Sequence, residues 1–186
     1  MEKNLEHYIV NFKGLITEDL CKQTVKELSK TKFSLHSFYN VKSGNSHSYE
    51  TDLSVSYKHV STHTTLMQLC YTGLNEYHKL LNMNWYGGWA GYENLRYNKY
   101  KKGTEMRIHC DHIHSLFPGE RKGVPILTIL GSLNDNYEGG ELVLFEDTII
   151  DFKAGDLVIF PSNFLYPHHV NMVTKGTRYS FVSWSW

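Results

Sequence analysis

Cysteine and proline are scarce in this chain, and neither sign of charge is in excess. The sequence has three cysteines and four prolines among 186 residues. Cys21, Cys70 and Cys110 are an odd number with no close pair, which argues against a disulfide framework or a CxxC zinc site and favours a reducing compartment. Lysine plus arginine equals aspartate plus glutamate at 19 each, so no basic excess attracts nucleic acid or an anionic membrane surface.

Long apolar runs are missing as well. No run approaches the length of a membrane span, and the first residues carry no apolar stretch of a signal peptide. We therefore expect a cytoplasmic protein that does not use a membrane. The length of 186 residues and the hydrophobic fraction of 41% predict a single domain over residues 1–186. Tyrosine is abundant at 13 residues, with four tryptophans, which suits both cores and peptide-binding grooves.

The first part of the domain, residues 1–92, has helical periodicity and one polar segment. Apolar residues at spacings of three and four predict helices at 17–30 and 62–81, with Thr17 as the N-cap of the first. Residues 36–61 are rich in Ser, Tyr, Asn, His and Lys. We interpret them as a surface meander with one or two weak strands, and a mobile lid is the alternative.

The second part, residues 93–186, reads as strands separated by turn signals. The candidate strands are 95–100, 105–110, 126–132, 141–145, 148–152, 156–160, 168–173 and 178–184. Short strands in this number predict an antiparallel double-sheet barrel. With the helices packed outside it, the fold class is α+β.

Two histidines and a carboxylate stand out within the strand region. His109 and Asp111 are two residues apart, so a strand turns both to the same face. His168 opens a later candidate strand, and Arg178 follows ten residues on. Two histidines and one carboxylate can hold one face of an Fe(II) ion and leave positions open for a cosubstrate and O2. A nearby arginine suits the far end of a dicarboxylate.

Other histidines compete for these positions. His112 and His114 follow Asp111 closely, and His169 adjoins His168. His112 faces away from Asp111 if the strand continues, and His114 falls in the loop that follows. Only one residue of the pair His168 and His169 can be a ligand, because neighbours on a strand point to opposite faces.

Several short motifs accompany the histidines. They are Tyr100-Lys-Lys-Gly103, Leu133-Asn134, Gly139-Gly140-Glu141, Gly155 through Phe160-Pro161, His168-His169-Val170 and Gly176-Thr177-Arg178-Tyr179. Together they resemble the Fe(II)/2-oxoglutarate-dependent dioxygenases, and within them the prolyl 4-hydroxylase-like branch. The resemblance covers about half of the chain, roughly residues 95–184. It implies a double-stranded β-helix (jelly-roll) core with the N-terminal helices outside.

The resemblance assigns roles to the metal-side residues. It implies that His109, Asp111 and His168 bind Fe(II), which favours His168 over His169. It also implies that Arg178 pairs with the distal carboxylate of 2-oxoglutarate. O2 is then the second cosubstrate, and ascorbate is expected as a reductant.

Further residues are placed around the pocket by the same resemblance. Tyr100 and Thr128 are implied to line the cosubstrate pocket, and Trp184 is implied to lie near the iron. Ser132 stands where several relatives have a tyrosine that assists the arginine, so either Ser132 or Thr128 takes that role, or neither does. Arg107 stands where relatives often have an aromatic residue, which puts a substrate contact there in question.

The expected function is hydroxylation of a C–H bond, with succinate and CO2 as co-products. The resemblance implies a peptidyl proline as the leading substrate, and residues 85–89 and 36–61 contain aromatic residues that can shape a peptide groove. A free amino acid or small metabolite is the alternative, since variable loops decide the substrate. Nucleic-acid demethylases of similar pattern carry a second arginine where Trp184 stands. A non-catalytic metal-binding barrel is the alternative from another class.

Overall fold

The computed structural model describes residues 4–40, 44–111 and 124–186. His112 and His114 lie outside these residues, so their competition for the metal site stays open. The described part contains a 3-10 helix at Leu5–Tyr8 and the α-helices α1, Glu18–Leu28, and α2, His63–Leu81. Its strands are β1 Val10–Phe12, β2 Ser34–Leu35, β3 Phe38–Asn40, β4 Asn45–His47, β5 Ser54–Ser56, β6 Arg96–Lys101, β7 Met106–His109, β8 Leu127–Ser132, β9 Tyr137–Gly139, β10 Leu142–Leu144, β11 Thr148–Ile149, β12 Leu157–Pro161, β13 His168–Val170 and β14 Val173–Ser185.

Both predicted helices are confirmed. The side chain of Thr17 accepts a hydrogen bond from the Leu20 amide at the start of α1, as an N-cap does. The buried residues of α2 lie along one face of the helix: His63, Leu66, Cys70, Gly73, Leu74, Tyr77 and Leu81. Among the described residues, neither of these helices nor the short 3-10 helix has the length and apolarity that crossing a membrane requires.

Two antiparallel sheets make up the core of the fold. The larger runs in the order β1-β12-β8-β14-β6-β5-β2, and β9 also pairs with β14. The smaller runs β11-β10-β13-β7, and β3 and β4 form a separate hairpin. This pairing of a large and a small sheet is the expected double-stranded β-helix, and the α+β fold class is confirmed.

Alternating residues of the larger sheet face two different apolar clusters. One face packs against α1 and α2, through residues that include Leu74, Tyr97, Ile129, Ile159 and Phe181. The opposite face looks into the space between the two sheets, where Tyr100, Leu144, Phe160 and Val170 belong to a second cluster. The helices therefore cover the outside of the barrel, and the inner space is left for the site.

Three details differ from the sequence-based expectations. Strands β1 and β9 were not predicted, and each is only three residues long. A turn at Lys175–Gly176 was predicted wrongly, because β14 continues from Val173 through Gly176 and pairs there with β9. The polar segment 36–61 was expected to hold one or two weak strands, but its described residues form β3, β4 and β5, and β5 joins the larger sheet through β6.

Candidate metal and cosubstrate site

Three side chains distant in sequence meet between the sheets. His109 is the last residue of β7 and lies directly opposite His168 of β13. Asp111 follows the end of β7, so it reaches the histidines from the turn and not, as predicted, from the strand itself. The Nε2 atoms of His109 and His168 lie 3.4 and 3.6 Å from the two carboxylate oxygens of Asp111. All three ligand atoms lie within 4.8 Å of one another.

Main-chain carbonyl groups fix the orientation of both imidazole rings. Nδ1 of His109 lies 2.7 Å from the carbonyl oxygen of Arg107, and Nδ1 of His168 lies 3.1 Å from that of Tyr166. A carbonyl oxygen only accepts hydrogen bonds, so each Nδ1 carries the proton and each Nε2 keeps a lone pair. Both lone pairs belong to nitrogens that stand beside Asp111, as in a metal site.

The surroundings keep Asp111 ionised. Burial by itself raises the pKa of its carboxyl group, but His168 and His109 outweigh that effect and hold the pKa well below its usual range. The indole N–H of Trp184 acts in the same direction, although among the described residues it completes no hydrogen bond of good geometry. Thr128 donates a hydrogen bond of 2.7 Å to the same carboxylate. Burial lowers the pKa of His168 to about 4, so that ring is neutral at pH 7.

Arg178 lies deeper in the barrel and is only 2% exposed. Its Nη1 donates to the hydroxyl of Ser180 at 3.0 Å, and its Cζ lies 4.9 Å above the ring of Tyr100. Its Nε is buried and has no partner among the described residues, and no ion pair joins it to a described carboxylate. A buried guanidinium without a counter-anion is costly, so this arrangement suits an anionic ligand.

Gly140 allows β10 to begin close to Arg178. Its φ is +69°, and a Cβ built on it would lie 2.9 Å from Val173 Cγ2 and 3.1 Å from Arg178 Cδ. A side chain at position 140 would therefore be strained and would press on the arginine. The Gly-Gly motif noted in the sequence thus has a steric role beside the candidate cosubstrate site.

Arg107 ties the polar segment to the metal-site strand. Its guanidinium carbon lies 4.4 Å from the ring centre of Phe38 and 4.2 Å from that of Tyr49. Its Nε lies 3.4 Å from the buried carboxylate of Asp52. The ring of Phe38 in turn stands 6.1 Å from that of His109, edge to face. Phe38, Tyr49 and Asp52 therefore hold the polar segment against the site, although its residues 44–51 are exposed.

The structure brings together most of the residues that the sequence singled out. Thr128, Tyr100 and Trp184 lie at the site, whereas His169 is outside the histidine–aspartate group. Ser132 is fully buried opposite Ser180 in the sheet, yet its hydroxyl has no partner among the described residues. The hydroxyl that accepts from Arg178 belongs to Ser180, which sequence reasoning missed.

The residues that sequence reasoning missed differ in whether a local pattern could have pointed to them. Ser180 lies two residues after Arg178, so it faces the same side of β14, and that spacing could have pointed to it. Ser162, whose hydroxyl lies 2.8 Å from that of Thr128, follows β12 and carries no such signal. His36 and Arg96, 3.3 Å apart at the mouth of the barrel, were also missed because they meet only in three dimensions.

Comparison with known proteins agrees with this geometry. Residues 95–186 match the family model described as the 2OG-Fe(II) oxygenase superfamily. A PKHD-type hydroxylase of Delftia acidovorans is 38% identical over 98 residues, which are 48% of this chain and 42% of that protein. One of Gluconobacter oxydans is 36% identical over 98 residues, again 48% of this chain and 41% of the relative. The chain thus spans less than half of the length of these relatives.

Solved structures share the fold across nearly the whole chain. A prolyl-4-hydroxylase of Pseudomonas putida has a TM-score of 0.64 at 18% identity, over 96% of this chain and 91% of that one. A prolyl hydroxylase of Trichoplax adhaerens, in complex with a peptide fragment of the hypoxia inducible factor oxygen degradation domain, has a TM-score of 0.70 at 15% identity, over 96% and 83%. At these identities the likeness shows the fold alone.

Proposed function

Because residues 95–186 belong to the 2OG-Fe(II) oxygenase superfamily, we propose that this chain is an Fe(II)- and 2-oxoglutarate-dependent dioxygenase. Its substrate is a C–H bond of a prolyl side chain in a peptide or protein. The observation that carries the proposal is the group His109, Asp111 and His168, with both Nε2 atoms beside an ionised carboxylate. That donor set is the one that non-haem Fe(II) oxygenases use.

The chain fits the metal through three side chains. His109 and His168 offer neutral imidazole nitrogens, and Asp111 offers a negative oxygen, so the set partly balances the charge of Fe(II). When bound, Fe(II) with 2-oxoglutarate and O2 supplies the oxidising chemistry that yields succinate, CO2 and a hydroxylated substrate. The residues of this chain hold the three ligands in one geometry. Thr128 donates a hydrogen bond to Asp111, and the two histidines donate to main-chain carbonyl groups, so that none of the three side chains turns away from the metal position.

Arg178 is the residue that we assign to 2-oxoglutarate. Its buried, unpaired charge suits the distal carboxylate of a dicarboxylate, which would satisfy the unpartnered Nε. Tyr100 supports the guanidinium from one side, and Ser180 fixes Nη1. In this chain Tyr100 and Ser180 thus supply the support that a tyrosine at position 132 supplies in relatives. The hydroxyl of Ser132 has no partner among the described residues and is a further donor for the same carboxylate.

Two aromatic surfaces favour a peptide as the substrate. Phe38 and Tyr49 enclose Arg107 on one side of the metal group. Elsewhere, a cavity of about 350 Å³ is lined by residues that include Trp85, Tyr86 and Tyr166. It also reaches Ile126, two residues before Thr128 of the site. The peptide complex of the Trichoplax enzyme adds support for this kind of substrate.

The test is succinate formation from 2-oxoglutarate under air, with Fe(II), ascorbate and a proline-rich peptide. We expect peptide-stimulated turnover in the unchanged chain and none in His109→Ala. His169→Ala is the matched control, because His169 adjoins a ligand but is outside the group; this variant should keep its turnover. Turnover without stimulation by the peptide would keep the chemistry and reject this substrate. No turnover with iron shown to be bound would favour a non-catalytic metal-binding barrel.

A further inference from the structure

Arg96 lies on the inner face of β6, at the mouth of the barrel. It precedes Tyr100 by four residues, so both side chains project from the same face of the strand. Its guanidinium carbon lies 5.0 Å from the ring centre of Trp184. Trp184 is opposite Thr128 in the sheet, and Thr128 donates to Asp111. Arg96 is therefore only a few side chains away from the metal group.

The contacts of Arg96 are all neutral. Its Nε donates to the side-chain oxygen of Asn98 at 3.1 Å, and its Nη1 lies 3.3 Å from Nε2 of His36. No ion pair joins it to a carboxylate within residues 4–40, 44–111 and 124–186. Arg107, by contrast, is paired with Asp52. Arg96 thus brings a partly buried positive charge to the mouth of the site without a described counter-charge.

The neighbours of Arg96 add hydrogen-bond donors. A guanidinium only donates, so Nε2 of His36 is the acceptor and the proton of that ring is on Nδ1. That Nδ1 is buried and has no partner among the described residues. The indole N–H of Trp184 acts on Asp111, so Trp184 contributes its ring, which lies against Arg96. Arg96 and His36 therefore both offer N–H donors at one mouth, and Arg96 is charged.

We infer that Arg96, His36 and Trp184 form a subsite for a carboxylate group of the substrate. The inference rests on the proposed function and narrows it: the substrate carries an anionic group near the carbon that is hydroxylated. A carboxylate has enough lone pairs for several donors and forms its strongest hydrogen bonds with a guanidinium. It comes either from an acidic residue beside the target proline in a peptide or from the free carboxylate of an amino acid.

The test is calorimetric binding of matched probes without O2, in the presence of Fe(II) and 2-oxoglutarate. The first pair is N-acetyl-Glu-Pro-Gly-amide and its Gln counterpart, and the second is L-proline and L-prolinamide. In at least one pair the carboxylate probe should bind roughly 10- to 100-fold more tightly than its neutral twin. Preference in the first pair identifies an acidic peptide, and preference in the second identifies a free amino acid.

Variants assign the preference to Arg96. Arg96→Gln should abolish it, and Arg96→Lys should keep part of it, because the charge stays while the planar fork is lost. Lys99→Gln is the control, since Lys99 lies on β6 but faces Phe33 and Tyr179 on the outer side; it should leave the preference unchanged. Thermal unfolding of each variant checks that it is folded.

The outcomes separate the subsite from the proposed function. Equal binding of both twins in both pairs, or a preference that survives Arg96→Gln, would overturn the subsite. If succinate is formed while no preference exists, the dioxygenase stands and the carboxylate subsite falls. If the Arg96-dependent preference exists without any turnover, the subsite stands and the dioxygenase falls.

Discussion

Thr128 connects the metal group with the sheet behind it. Its hydroxyl donates to Asp111 at 2.7 Å and also lies 2.8 Å from the hydroxyl of Ser162. Threonine is a common residue in strands, so the residue type alone does not reveal this role. The histidine–aspartate spacing, in contrast, could be predicted, because it depends on neighbours in the sequence. The contact between Arg96 and His36 could not be predicted from the sequence either, because the two residues are 60 positions apart in the chain.

We expect Thr128→Val to weaken metal binding by roughly 10-fold or more, because the carboxylate loses a hydrogen bond that orients it. The measurement is calorimetric titration of the metal-free chain with Fe(II) in the absence of O2. Thr128→Ser keeps the hydroxyl and should keep most of the affinity. An unchanged affinity in Thr128→Val would show that the histidines alone orient Asp111.

Among the elements, those with strong local signals were predicted and the shortest ones were not. Helices α1 and α2 repeat apolar residues at helical spacing, and most strands of the barrel lie between glycine or asparagine turns. Strand β1 is three residues long and exists because the edge of β12 is available to pair with it. Its position depends on pairing with β12, which is far away in the sequence, and no local pattern encodes such a contact.

Asp156 is the residue that anchors β1 and the turn after it. It is 3% exposed and accepts hydrogen bonds from the amides of Gly14 and Lys153, both at 2.9 Å. Asp156→Ala should lower the free energy of unfolding by about 2 to 4 kcal/mol, since two partly buried hydrogen bonds lose their charged, buried acceptor. Asp151 forms an ion pair with Lys13 but is exposed, so Asp151→Ala should change the free energy of unfolding only a little. Urea unfolding measures both, and equal effects would contradict an anchoring role for Asp156.

Across the whole molecule, stability should depend on pH in a defined window. Burial and the charge of Arg96 lower the pKa of His36 to about 4, and burial lowers the pKa of His168 to about 4 as well. In the unfolded chain both groups titrate near the ordinary value of 6.5. Between these values the unfolded chain binds more protons, so stability increases with pH. The stability that the neutral rings of His36 and His168 contribute is fully present above pH 6.5 and is lost as the pH falls towards 4.

Urea midpoints of the metal-free chain at pH 7.5, 6 and 5 check this expectation. We expect the midpoint to decrease from pH 7.5 to 6 and again from pH 6 to 5, because the unfolded chain takes up protons that the buried rings of His36 and His168 exclude. His36→Gln removes one of the groups and should make the decrease shallower. A midpoint that does not change between pH 7.5 and 5 would mean that neither ring is buried in its neutral form.

The barrel and the helices outside it were predicted, because the turn spacing and the HxD…H…R pattern agree on one barrel, whereas strands β1 and β9 were not predicted. What sequence reasoning could not supply is the mouth of that barrel. There, β5 pairs with β6, and Asp52 and Phe38 contact Arg107 of β7. Such contacts join segments whose patterns are individually weak and polar. The chemistry was therefore easier to predict than the substrate.

The supports of the two metal-site histidines have an evolutionary consequence. Both Nδ1 atoms are held by main-chain carbonyl groups, those of Arg107 and Tyr166. Every amino acid carries such a carbonyl, so drift at positions 107 and 166 leaves the tautomer of each ligand intact as long as the backbone keeps its path. The side chain at 107 contacts Phe38, Tyr49 and Asp52. Under the proposed function, substitutions at that position can therefore change the contacts offered to a substrate over evolution while the two histidines keep their orientation.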